Sequence, residues 1–288
     1  MYTTVNGARI YFDVDGEGLT PDGTKMRKKP TVVMVHGGPG ADHTVSKPYF
    51  SQLRDIAQVV CYDHRGNGRS SGDDPKEWNL AQWADDLRGL CDALGIERPI
   101  VIGTSFGGFV SLAYATRHPD HAAGLVLIST AAKVDFQEVY RAFKHLGGTD
   151  IAKIAQDYWE NPTDDGRALY RDRCVPLYQH TKSASSDWLS RILWRNETAL
   201  HFNGPNAEHG KMDFRDDVHR ILCPVLLMVG EEDPITPPVF SDVIAASLHE
   251  SQLTYHRFTD CGHGVVADKP DEAMQAIRSF IESVDIES

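Results

Sequence analysis

The residues best able to do chemistry are Gly103-Thr104-Ser105-Phe106-Gly107-Gly108. They follow Pro99-Ile100-Val101-Ile102, an apolar run that reads as a buried strand, and they precede a helical pattern from Phe109 to Ala115. A serine in G-x-S-x-G between strand and helix sits on a sharp turn that exposes its hydroxyl. Glycines flank it because the turn is too tight for side chains. The N–H groups that open the helix point to where negative charge would develop on an attacked carbonyl. A hydroxyl is a weak nucleophile until a base takes its proton, and that base needs an acid to orient it.

Two later segments supply candidates. Gly230-Glu231-Glu232-Asp233-Pro234 follows the strand-like run Val225 to Val229, and Thr259-Asp260-Cys261-Gly262-His263-Gly264 follows Leu253 to Phe258. The chain order Ser, Asp, His after successive strands assigns Ser105 as nucleophile, Asp233 as acid and His263 as base. Glu231 and Glu232 compete for the acid's place. His263 stands out from His249 and His256 because two glycines flank it in a loop after the last strand. Asp260 and Cys261 read as loop structure.

The tetrahedral intermediate also needs N–H donors. One is the backbone N–H of Phe106. The other comes from His36-Gly37-Gly38-Pro39-Gly40, where Gly38 is the first choice and Gly37 the second. These glycines do not fit a dinucleotide site, because G-x-G-x-x-G and its acidic ribose partner are missing. No C-x-x-C or H-E-x-x-H occurs, so no metal and no cofactor is expected. Asp63 and Arg65, in Tyr62-Asp63-His64-Arg65-Gly66-Asn67-Gly68-Arg69-Ser70, read as ties between loops through charge-assisted hydrogen bonds.

The elements that must position these residues follow from the pattern. A chain of 288 residues holds one large α/β domain or two small ones. Continuous apolar runs at 31–35, 58–62, 100–102, 124–128 and 225–229 mark strands buried on both faces, with a weaker strand at 253–258. Residues 8–14 alternate as a strand of an edge hairpin, and 16–29 read as a polar turn. Asn79 and Gln82 predict a capping box for the helix that carries Leu80, Trp83, Leu87, Leu90 and Leu94. Thr236-Pro237 and Asp268-Lys269-Pro270 open two more helices, the first with proline at the first helical position. Alternating strands and helices imply a mostly parallel twisted sheet with helices on both faces.

Between 132 and 220 no buried strand is legible. That stretch carries Tyr140, Phe143, Tyr158, Trp159, Tyr170, Tyr178, Trp188, Trp194 and Phe202 among polar residues. It is too long for a loop and reads as an inserted helical cap, with a core domain at 1–131 and 221–288.

Composition narrows the partners. The net charge is −12, and only Lys25 to Lys29 is locally basic, which argues against nucleic acid or an anionic membrane and favours a neutral or cationic substrate. Met1 to Gly7 lacks a signal-peptide pattern. No apolar run approaches the roughly 20 residues of a membrane span. Five cysteines without paired spacing suggest free thiols in a reducing, cytoplasmic setting.

Together His36-Gly37-Gly38-Pro39-Gly40, Asp63 to Ser70 and Gly103 to Gly108 resemble the α/β-hydrolase superfamily. The H-G-G-P-G form and the doubled glycine after the serine look like its proline iminopeptidase group, as does Asn203-Gly204-Pro205-Asn206. The resemblance implies an α/β-hydrolase fold and release of an N-terminal residue, typically proline, from a short peptide. It also implies carboxylate anchors for the substrate ammonium, one directly after the catalytic aspartate and one after the Asn-Gly-Pro-Asn. Here those positions are Pro234 and Ala207, with Glu208 one residue later. Glu160 and Glu208 are the candidate anchors that remain, and Trp159 and Trp194 the candidate apolar contacts. The alternative is an esterase, lactonase or amidase acting on small molecules. A non-catalytic binding protein on the same scaffold fits less well, because serine, aspartate and histidine are all retained.

Overall fold

The computed structural model describes residues 1–181 and 190–286, so Trp188 lies outside the described residues. Eight strands form one sheet in the order β1 (Tyr2–Val5), β2 (Ala8–Asp15), β6 (Gln58–Tyr62), β5 (Thr31–Val35), β7 (Ile100–Thr104), β8 (Gly124–Ile128), β9 (Val225–Gly230) and β10 (Leu253–Phe258). The hairpin β1–β2 joins β6 antiparallel, and every pairing from β6 to β10 is parallel.

The apolar runs are continuous because alternate side chains feed two cores. Val33 and Val35 enter the layer with α1 (Leu80–Leu94) and α2 (Phe106–Arg117). Val32 and Met34 enter the layer that packs against Ala273, Ile277 and Ile281 of a C-terminal helix, Pro270–Ser283. Between β8 and β9 the described residues form no strand. They form helices α3 (Phe136–Glu160), α4 (Asp164–Arg173) and α5 (Asn196–Phe202), and α3 is interrupted at Gly148, which has φ +83°. Among the described residues no helix is long and apolar enough to cross a membrane.

Three local expectations need correcting. Residues 16–29 hold a two-stranded hairpin, β3 (Leu19–Asp22) and β4 (Lys25–Lys28), closed at Gly23-Thr24. Nearly all of its side chains are exposed, so it has no apolar alternation to read. Asn79 does cap α1 by accepting from the Gln82 N–H, but the Gln82 side chain turns to Asp86, leaving half a capping box. The helix after β9, α6 (Pro238–Ala246), starts one residue late, with Pro238 first, because Thr236 is engaged elsewhere.

Parallel pairing brings the C-terminal ends of β5 to β10 to one edge. Val35 pairs with Gly103, Ile128 with Met228 and Gly230 with Phe258, so the loops that follow start side by side. Helix α2 then crosses close to β5. A Cβ on Gly107 would collide with the Val35 carbonyl oxygen and lie 2.7 Å from that of His36. A Cβ on Gly103 would collide with Ser111 Oγ. Neither glycine has positive φ, so close approach is the reason for both. Gly107→Ala should therefore destabilise the protein by about 1–3 kcal/mol in urea unfolding, the usual cost of overpacking. A loss below about 0.5 kcal/mol would mean that α2 can move off β5 freely.

Candidate active site

Ser105 joins β7 to α2 with φ +56° and ψ −121°, a region that a residue with a side chain occupies only at a cost. Its backbone is pinned at both ends. The Ser105 N–H donates to the Ile128 carbonyl at 2.9 Å, and its carbonyl accepts from Thr130 Oγ1 at 3.0 Å. Phe106 is the first residue of α2, so its N–H has no acceptor within the helix. The Phe106 ring is buried edge-on against Trp83 and Phe202.

The glycine loop after β5 is set by a buried imidazole. His36 Nε2 accepts the His64 N–H at 3.3 Å, so the proton sits on Nδ1, which donates to the Gly37 carbonyl at 3.0 Å. Burial pushes His36 below its ordinary value, which keeps this neutral form. Carbonyl and N–H of one trans peptide point opposite ways, so the Gly38 N–H is directed away from His36. Gly38 has φ +63°, and its carbonyl accepts from the Ala41 N–H. Gly37 is close to the serine: a Cβ there would lie 3.3 Å from Ser105 Cβ.

Asp233 and His263 come from the loops after β9 and β10. His263 Nδ1 lies 2.8 Å from Asp233 Oδ2, with both residues buried. The other oxygen, Oδ1, accepts the N–H groups of Ile235 and Thr236, and Oδ2 also accepts the Thr236 hydroxyl at 2.7 Å. Burial would raise the Asp233 carboxyl, but the charge and hydrogen bond of His263 and the bonds from Thr236 outweigh it, and it lies below the usual range. Glu231 and Glu232 point elsewhere, to Arg257 and His180.

Three residues around His263 carry no sequence motif for this role. Ser129, at φ +50° after β8, donates its hydroxyl to the His263 carbonyl at 2.8 Å. Asp268, read above as a helix opener, accepts the N–H groups of Gly262, His180 and Thr181. Tyr178 packs edge-on to the His263 ring, and its carbonyl accepts the Gly264 N–H. The chain after α4 is thus bonded directly to the histidine loop.

Asp63 and Arg65 tie loops as expected. Asp63 accepts from the N–H and Nδ1 of His43 and from the Arg69 N–H. Its burial is outweighed by the His43 bonds, so its carboxyl drops to about 2. Arg65 is buried and paired with Asp86 and Glu77. Asp42, His43 and Asp63 lie close enough to share a cation. Their atoms already bond Arg69, Thr44 and one another.

Ser105, His263, Gly37, Gly38 and Phe106 border one cavity of about 270 Å³. Trp159 and Trp194 line it from the helical segment. Glu160 and Glu208 do not. Glu160 is exposed at the end of α3 and accepts from Gln156. Glu208 accepts the Leu80 N–H at 2.9 Å, so it caps α1, and burial raises its carboxyl. Pro234 and Ala207 are likewise absent from the lining, and among the described residues no aspartate or glutamate borders the cavity.

The sequence model of a family described as "alpha/beta hydrolase fold" matches residues 30–270. The chain belongs to that family. This hydrolase is 29% identical to "Proline iminopeptidase PfmaB" of Pestalotiopsis fici, across 98% of this chain and 99% of the relative. It is also 29% identical to "Putative carbamate hydrolase RutD" of a Caulobacter species, across 86% of this chain and 94% of the relative. Among solved structures, a thermophilic esterase of Thermogutta terrifontis with malate bound superposes with a TM-score of 0.70 at 25% identity, covering 98% of this chain and 96% of that one.

The bonds to Asp233 in this hydrolase have a pH-dependent consequence. A carboxylate held below its unfolded value of about 3.9 stabilises the fold above that pH, and this is lost as pH falls through the folded value. Thr236→Val removes one charge-assisted bond without changing the side chain's shape. It should cost about 1.5–3 kcal/mol near pH 7 and progressively less below about pH 4, read by urea unfolding across pH. A loss independent of pH would mean that the hydroxyl acts by packing rather than through the Asp233 charge.

Proposed function

We propose that the protein is a serine hydrolase that works through an acyl-enzyme on Ser105. The observation that carries this reading is the strained Ser105 at the mouth of α2, facing the same cavity as a histidine held by a buried, fully bonded aspartate. His263 takes the Ser105 proton as the hydroxyl attacks a carbonyl, then returns it to the leaving group. Asp233 keeps the proton of neutral His263 on Nδ1 and stabilises the imidazolium. The N–H groups of Phe106 and Gly38 stabilise the oxyanion, Gly38 being turned by the His36–Gly37 bond. Water, activated by His263, then releases the acyl group. We take 132–220 as a helical cap on a core of 1–131 and 221–288, because its helices supply much of the cavity wall. Five buried free cysteines support a cytoplasmic setting.

The geometry best supports a small ester, lactone or amide as substrate. An N-terminal ammonium drawn out of water needs a counter-charge, and none borders the cavity among the described residues. The second reading, release of an N-terminal proline, is favoured by the name of the Pestalotiopsis relative. Turnover of a prolyl arylamide beside a short-chain nitrophenyl ester separates the two, and ester hydrolysis should dominate. Ser105→Ala and Asp233→Asn should each lower kcat by about 10⁴-fold or more. Full activity in Ser105→Ala would end the acyl-enzyme reading, and arylamide turnover as fast as ester turnover would favour the exopeptidase.

A further inference from the structure

The electrostatics of the cavity run against those of the whole chain. The protein carries a net charge of −12, yet the only charged aspartate, glutamate, lysine or arginine side chains among the described lining residues are Arg167 and Arg171 of α4. Arg167 is 9% exposed, and no ion pair or hydrogen bond engages its guanidinium among the described residues. Its Nε–H is fully buried without a partner. The guanidinium lies 5.2 Å from the ring of Trp194, which also lines the cavity, and that of Arg171 lies 6.0 Å from the same ring. Arg171 itself is exposed, at the rim. His209 adds no charge at neutral pH, because burial pushes it down to about 3. Trp159 Nε1 is a second buried donor in the lining without a partner.

A buried cation normally has a counter-ion or a full set of acceptors, since an unpaired one is costly. The contrast within this chain is direct: Arg65, also buried, has Asp86 and Glu77. Stacking on an aromatic face fixes the plane of a guanidinium but leaves its edge donors free. The buried Nε–H is out of reach, but the Nη1 and Nη2 groups, which no bond engages among the described residues, form an edge that matches the two oxygens of a carboxylate. The remaining wall is largely aromatic and aliphatic, which suits a short apolar chain between that carboxylate and the carbonyl at Ser105.

We propose that the cavity recognises substrates that carry a free carboxylate, seated on Arg167 against Trp194, while Ser105 attacks an ester, lactone or amide carbonyl in the same molecule. The substrate is then a monoester or monoamide of a small dicarboxylic acid, or the lactone of a small hydroxy-dicarboxylic acid. This rests on the serine-hydrolase reading above and narrows its substrate class.

The test uses the full chain and the ethyl hemiesters of succinic, glutaric and adipic acid. Each is compared with the ethyl ester of the unbranched monocarboxylic acid of matching length, following acid release by pH-stat. The wild type should prefer at least one hemiester by tenfold or more in kcat/KM. Arg167→Met should lower that ratio at least tenfold, and Arg167→Lys should retain part of it. In a Ser105→Ala background, where turnover does not interfere, the matching dicarboxylate should raise Tm, and adding Arg167→Met should remove the shift. Equal kcat/KM for charged and neutral esters in the wild type, or a ratio unchanged by Arg167→Met, overturns the proposal and leaves the hydrolase reading intact. An Arg167-dependent Tm shift without turnover of the hemiesters, the nitrophenyl ester or the prolyl arylamide counts against the hydrolase reading and supports the carboxylate site. Should Arg167→Met not fold, the wild-type ratio and Arg167→Lys decide.

Discussion

The backbone at Ser105 is the constraint on which the rest of this structure depends. A serine at φ +56° is strained, and it persists because its surroundings leave it no alternative. Its N–H is held by β8, its carbonyl by Thr130, and the helix it opens is pressed against β5 at Gly107. The cost is spread over packing that the fold needs anyway: α2 fills the core layer with Val110, Leu112 and Tyr114, each buried. Moving the serine to a relaxed conformation would draw the helix out of that layer.

A second set of bonds sits on the far strands, where a negative charge has been taken out of water. Asp233 keeps it through two backbone N–H groups, one hydroxyl and one imidazole. These bonds leave His263 little freedom to turn at Nδ1, and Ser129 fixes its backbone from β8. Three adjacent strands thus contribute one positioned side chain each, over a distance set by the spacing of the sheet rather than by loop flexibility. Asp268 extends the arrangement into the chain after α4, so the wall of the cavity and the orientation of the histidine are mechanically linked.

The cavity wall draws on different physics. Among the described residues it is built largely from aromatic side chains, and Arg167 and Arg171 oppose the negative field of the protein as a whole. Glu208, the acid nearest in sequence to the position where an amine anchor was sought, instead closes the N-terminus of α1. A helix start offers several free N–H groups to a carboxylate. That local demand explains its placement without any role at the cavity.

Most of the sheet was legible in the chain because each central strand is buried on both faces and so appears as an unbroken apolar run. The β3–β4 hairpin was not, since it buries almost nothing. Ser105 and His263 stand out in the sequence because glycines bracket each of them after a strand, whereas Asp233 stands out only by its place after the strand between them, beside Glu231 and Glu232. Residue types and spacing alone therefore determined the strand order of chemistry along the chain and the class of reaction it suits. Only the tertiary structure decided which polar residues lie against Ser105, Asp233, His263 and the cavity, and which do not. Thr236 and Asp268 read as helix openers and Glu160 and Glu208 as candidate anchors, while Arg167 carried no signal at all. Their true neighbours lie tens of residues away, and nothing local in a sequence records what a side chain meets across a sheet edge or under a helix.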